Sequence, residues 1–297
     1  MLPDYLITEF NPLFDTHEAR YRIEVVVTTK ERYTNLCMLL SSLLAQNYGN
    51  WDLTVVDDTE GARPISEAFP TCNILDQLNH QGHNWRVIWG PKRGPHAAFY
   101  AGFVNRRHEL VANIDDDFVL FPNYLQWMVV PFVQCEQILG VGKMLGGVGG
   151  VYLLPRMTLE SQTAPNNWAS VNLYQGKIRP LTPLLHQTLS PDVNLKEAEH
   201  INSCFLVSGS AVDASGGICL DYSPAGHRWE TDLTYHMFKK GYTLLVQPRA
   251  IAWHYASLEG GIRVTKGIPN PEKFWIDDQN LYDRRMAELD GTNPPAI

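Results

Sequence analysis

Cysteine is scarce in this 297-residue chain, basic residues are the minority charge, and long apolar runs are missing. The five cysteines, Cys37, Cys72, Cys135, Cys204 and Cys219, are scattered, odd in number and never spaced as CxxC. That argues against a disulfide framework or a zinc cluster and for reduced thiols. No apolar stretch is long enough to span a bilayer. The opening residues, MLPDYLITEFNPLFDTHEAR, carry acids and a proline where a signal peptide would need a basic start and an apolar segment. A soluble, cytoplasmic protein is therefore expected. With 24 Lys and Arg against 32 Asp and Glu, the net charge is -8. A phosphate backbone of DNA or RNA is not an expected partner, because such binding draws on clustered cations. No Walker A, HExxH or GxSxG motif occurs. The glycine-rich GVGKMLGG at 140–147 lacks the third glycine of a dinucleotide fingerprint and lies far from the first strand.

Hydrophobic residues make up 44% of the chain and charged residues 19%, enough apolar material for one large core. Apolar runs IEVVVT (Ile23–Thr28), WDLTVV (Trp51–Val56), WRVIW (Trp85–Trp89) and LVANI (Leu110–Ile114) read as buried strands. Between them, Thr34–Gln46 and Pro95–Arg107 have helical length, with Thr34 placed as a cap. This alternation predicts an α/β fold with a mostly parallel sheet. Further on, Trp229–Lys240 reads as a helix stopped by Gly241, and Leu244–Gln247 and Ala250–His254 as two short strands. A short helix is expected near Asp277–Glu288. Gly140–Gly150 and residues 155–200 give no regular reading.

In parallel sheets, ligands gather at the carboxyl ends of the strands. Here three consecutive strands end in polar clusters: Thr28-Thr29-Lys30-Glu31-Arg32, Asp57-Asp58 and Asp115-Asp116-Asp117. Three successive carboxylates after an apolar strand repel one another unless something positive sits among them. A divalent cation such as Mn²⁺ or Mg²⁺, bound together with a nucleotide, would serve.

Three stretches together resemble the GT-A glycosyltransferases, in particular the inverting family 2 group. They are VVVTTKERYTNLCMLLSSLLAQNYGNWDLTVVDD, KRGPHAAFYAGFVNRRHELVANIDDDF and GGICLDYSPAGHRWETDLTYHMFKKGYTLLVQPRAIAWH. The resemblance implies a GT-A catalytic domain over 21–256, with a nucleotide-binding half at 21–120 and an acceptor-side half at 121–256. An N-terminal arm (1–20) would precede it, and a lid loop and tail (257–297) would follow. It implies a metal-dependent transfer of a sugar from a nucleoside-diphosphate donor (UDP, GDP or dTDP) to a hydroxyl. The acceptor would be a glycan, a protein, a lipid-linked glycan or a small molecule, and a lipid-linked acceptor would require peripheral contact with a membrane.

Residue by residue, the resemblance places Thr28, Lys30, Asp57, Asp58, Arg93, Asp115 and Asp116 around the nucleotide. Asp115, Asp117 and His254 would serve the metal. Glu230 is the preferred catalytic base, with Asp232 two residues on as the alternative. Arg263 and Lys266, in the glycine-rich stretch LEGGIRVTKGIP, would meet the diphosphate. Two departures stand out: the length of 155–200, and His236 where the family often has arginine. A nucleotidyltransferase would use similar strand-end acids, although Thr28–Arg32 lacks its glycines. A catalytically silent sugar-nucleotide or glycan-binding module is the other alternative.

Overall fold

The computed structural model describes residues 19–59, 61, 64–153, 173–174, 177–178, 195–201, 204–255 and 271–292. Strands β1 (Ile23–Thr29), β2 (Trp51–Asp57) and β3 (Trp85–Trp89) alternate with helices α1 (Tyr33–Leu44), α2 (Thr71–His80) and α3 (Pro95–Val104) before β4 (Leu110–Asp115). A short β5 (Phe118–Leu120) follows, then α4 (Tyr124–Val133), α5 (Cys135–Leu139) and β6 (Leu145–Leu153). A two-stranded hairpin, β7 (Leu173–Tyr174) and β8 (Lys177–Ile178), stands apart. After it come β9 (Lys196–Ala198), β10 (Phe205–Ser208), α6 (Gly209–Ala214), α7 (Trp229–Lys239), β11 (Thr243–His254) and α8 (Pro271–Asp290).

One sheet carries both halves of the chain, in the order β3-β2-β1-β4-β10-β6-β11-β5, with β9 also paired to β11. β1 to β4 are parallel, and β10 enters antiparallel between β4 and β6. The register sets Thr28 opposite Asp115 and Thr29 opposite Asp57, so these strands end together on one edge. The apolar runs that predicted the strands have their cause in burial on both faces. Val25 and Val27 pack with Leu36, Leu39, Leu40 and Trp51 on one side, while Val26 and Val56 meet Phe99 and Phe103 on the other. Each such side chain contributes roughly 1.5–3 kcal/mol when fully buried.

Several elements differ from the sequence expectation. Helix α1 begins at Tyr33, one residue before the expected Thr34 cap, and no side chain caps it. The glycine-dense 140–150 runs into a nine-residue strand, Leu145–Leu153, because the glycines within it answer close packing rather than a loop. A Cβ on Gly150 would stand 2.5 Å from the Tyr124 hydroxyl and 2.8 Å from the Ala250 carbonyl oxygen. The two short strands expected after Gly241 are one strand of twelve residues, with its register broken between Val246 and Ile251, around Pro248. The proline cannot donate to the ladder, so the pairing lapses there and resumes. The short helix expected near the end is the twenty-residue α8, packed against α7 through the buried Tyr282 and Met286. Most of 155–200 lies outside the described residues.

Candidate functional site

The converging strand ends open into a cavity of about 380 Å³. One wall is Thr28, Thr29, Lys30, Arg32 and Asp58; the floor is Asp115, Asp116, Asp117 and His254. Pro95 and Ala98 of α3, the loop from Ala225 to Glu230, and Trp275 of α8 complete it. Three non-glycine residues around it hold left-handed backbone: Glu31 at φ 59°, Lys92 at 59° and Arg228 at 73°. Each costs on the order of 1 kcal/mol, and such strain persists where surrounding contacts fix a site.

The acid triplet is held by Arg32 and Thr29. Arg32 Nη1 lies 3.2 Å from Asp116 Oδ1 and 3.1 Å from Asp117 Oδ2, and Thr29 Oγ1 donates to Asp116 Oδ2 at 2.7 Å. Burial still outweighs these partners at Asp116 and pushes its carboxyl up to about 7. Asp117 faces His254, with Nε2 at 3.4 Å from Oδ1. The His254 ring stacks on Phe118 at 4.4 Å and meets Tyr152 edge-on, which fixes its plane.

Among the described residues no group of three or more His, Cys, Asp or Glu side chains forms a ready metal cluster. The donor set nonetheless fits a cation shared with a phosphate ligand. Two neighbouring ligands with metal bonds near 2.1 Å lie about 3 Å apart, close to the Asp117–His254 spacing, and Mg²⁺-type sites commonly use one or two carboxylates plus substrate phosphates. The imidazole favours a transition metal over magnesium.

Glu230 stands in the first turn of α7 and accepts a hydrogen bond from Asn113 Nδ2 at 3.2 Å. Asn113 is the polar interruption in the apolar LVANI strand, a signal the sequence reading passed over. Asp232 does not line the cavity. It is 1% exposed, Arg285 Nε of α8 donates to its Oδ2 at 2.8 Å, and His236 Nδ1 lies 2.9 Å from its Oδ1. It ties α7 to α8, which leaves Glu230 as the carboxylate of this helix facing the cavity.

The nucleotide-side residues divide in the same way. Thr28, Lys30, Asp58, Asp115 and Asp116 line the cavity. Asp58 accepts from the Lys92 backbone N–H at 2.6 Å, and a Cβ on Gly90 would fall 2.3 Å from its Oδ1, so only glycine fits beside it. Burial raises the Asp58 carboxyl above its ordinary range. Asp57 lies beneath, fully buried, taking hydrogen bonds from the Tyr33 hydroxyl and the Thr59 N–H. Arg93 reaches the Leu220 carbonyl instead of the cavity. Arg263 and Lys266 lie outside the described residues. Arg32, Asn113, His227 and Trp275 are site residues to which the sequence reading gave no role.

Comparison with known proteins agrees with this geometry. The family described as Glycosyl transferase family 2 matches residues 24–172, half of the chain. A Nostoc protein described as the uncharacterized glycosyltransferase alr2836 is 29% identical over 132 residues, 43% of this chain and 38% of the relative's length. The matched part thus spans well under half of that relative. Among solved structures, Staphylococcus aureus TarS 1-349 in complex with UDP-GlcNAc superposes with a TM-score of 0.60 at 13% identity, covering 91% of this chain and 67% of that one. GalNAc-T7 with UDP, GalNAc and Mn²⁺ gives 0.62 at 14% identity, covering 94% and 53%. These define the class of fold, a GT-A α/β fold. The chain belongs to glycosyl transferase family 2. Among the described residues no helix is long and apolar enough to cross a membrane.

Proposed function

We propose that this chain is a metal-dependent, inverting glycosyltransferase that moves a sugar from a nucleoside-diphosphate donor to an acceptor hydroxyl. The observation that carries this is the placement of Glu230, the α7 carboxylate that lines the cavity, beside the acid triplet. Thr28, Lys30, Asp58, Asp115 and Asp116 hold the nucleotide. Asp117 and His254, with Asp115 beside them, hold Mn²⁺ or Mg²⁺, which when bound neutralises charge on the diphosphate. Glu230 takes the proton from the acceptor hydroxyl as its oxygen attacks the anomeric carbon and the bond to the diphosphate breaks on the opposite face. The Asn113 amide aims the carboxylate. Arg263 and Lys266 are assigned to the leaving diphosphate on the family resemblance. A uridine nucleotide is the first donor to test, because the TarS and GalNAc-T7 structures hold UDP compounds.

The test is a thermal-shift panel of UDP, GDP and dTDP with and without Mn²⁺. A ligand at a hundred times its Kd adds roughly 2.7 kcal/mol to the folded state. One nucleotide should stabilise the protein more with Mn²⁺, and Asp117→Ala should lose that metal-dependent part. No shift from any nucleotide would sink the donor site.

A further inference from the structure

The family match ends at residue 172, yet the cavity is closed by Trp275, a residue of the C-terminal helix. Trp275 is 40% exposed, while the helix turns that follow it are anchored. Asp278 accepts from the Ser223 N–H at 2.6 Å, the Ser223 hydroxyl at 2.9 Å and the His227 N–H at 2.7 Å. Gln279 Oε1 accepts from Arg228 Nε at 3.1 Å, and Tyr282 is fully buried. Residues 275, 278, 279 and 282 follow the spacing of one helix face. The indole therefore continues the packed stripe out over the cavity. Its ring centroid lies 4.5 Å from that of His227, tilted by 59°. Burial pushes His227 down to about 4, so the imidazole supports the indole as an uncharged, angled aromatic neighbour at neutral pH.

One residue beyond His227, Arg228 adopts left-handed backbone, and α7 begins at Trp229 with Glu230 next. The aromatic pair thus belongs to the wall that carries the proposed base, and the nucleotide-side residues Thr28, Lys30 and Asp58 come from the ends of strands β1 and β2. The exposed face of the indole, beside carboxylates, suits a ligand that is apolar on one face and hydroxylated at its edge, which describes a pyranose ring.

Resting on the transferase reading above, we infer that Trp275, supported by His227, stacks against the sugar ring of the acceptor, so that the acceptor is a carbohydrate. The residue sets acceptor specificity and takes no part in bond making.

The test uses the full chain with saturating UDP and Mn²⁺ and, as probes, the methyl glycosides of glucose, galactose, mannose and N-acetylglucosamine. Saturation-transfer NMR should show at least one glycoside binding through its ring C–H protons. Trp275→Ala should weaken that binding by up to about tenfold, the size of a lost aromatic contact, and Trp275→Phe should retain most of it. A matching melting temperature for both variants would exclude misfolding, and nucleotide-induced shifts should match wild type. No glycoside binding by wild type, or equal binding by Trp275→Ala, would overturn the platform while leaving the donor site standing. A loss of nucleotide shift in Trp275→Ala would also overturn it, by moving the indole to the donor base. Absence of a nucleotide shift in wild type would instead bring down the transferase reading itself.

Discussion

The two ends of strands β1, β2 and β4 carry acids in opposite circumstances. At the amino ends, Glu24 and Asp52 are buried and surrounded by cations. Arg107 Nη2 lies 3.0 Å and Arg86 Nη2 3.4 Å from Glu24 Oε1, while Arg22 Nη2 lies 2.7 Å and His108 Nε2 2.7 Å from Asp52. Although burial opposes ionisation at both, these partners hold both carboxyls below their ordinary range. At the carboxyl ends, Asp116 and Asp117 share one arginine, and burial wins at Asp116. The same sheet thus has one edge where charge is compensated and serves folding. At its other edge the partners of Asp116 do not offset its burial, and its carboxyl stands above the ordinary range.

Substitutions can break this contrast, and the largest effect is expected at the ligand edge. Glu230→Gln should lower transfer by roughly 10²–10⁴-fold, the usual worth of a general base, while nucleotide-induced thermal shifts stay as in wild type. Transfer at wild-type rate would remove Glu230 from catalysis. At the opposite edge the effect should fall on stability instead. Glu24→Ala leaves two arginines facing a buried vacancy and should cost about 3 kcal/mol in urea unfolding, the lower end for a broken buried pair because both arginines retain water. A loss near zero would mean that this edge is not compensated as described.

Gly150→Ala should cost about 1–3 kcal/mol, since its Cβ would meet the Tyr124 hydroxyl and a backbone oxygen that cannot move away cheaply. An unchanged denaturation midpoint would show that β6 tolerates side chains there. The smallest effect is on pH dependence. Asp52 has a folded pKa below its unfolded value near 3.8, so its contribution is present above that value and is lost as pH falls through the folded one. Asp52→Asn should therefore flatten the acid limb of stability below about pH 4. The buried His96 and His200, pushed down to about 4 from 6.5, act earlier. Their contribution is complete above pH 6.5 and declines as pH falls toward 4, so some loss of melting temperature between these values should persist in Asp52→Asn.

Much of the ligand edge was legible in the chain itself. Apolar strands ending in TTKER, DD and DDD need no tertiary information to suggest a shared crevice, because parallel strands must end on one side. The helix start at Trp229 was legible in the residues themselves, and the resemblance singled out Glu230 as the candidate base. Three kinds of feature were not. Asp57 and Asp58 are adjacent and identical in type, and only the β-strand's alternation and the packing of Tyr33 and Gly90 decide that Asp58 faces the cavity. Glu230 and Asp232 share a helix turn, and only the docking of α8, through Arg285, takes Asp232 out of the site. The glycines of 145–150 look like a loop until Tyr124 and Ala250 are seen against them.

The sequence by itself determined the class of fold and the strand ends at which the acids gather, because periodicity and strand-end composition are local properties. Which of two neighbouring carboxylates lines the cavity, which arginine pairs with Asp116 and Asp117, and that a tryptophan 45 residues beyond Glu230 closes the cavity were decided by tertiary structure alone. Those facts depend on contacts between segments far apart in the chain, and no local pattern encodes them.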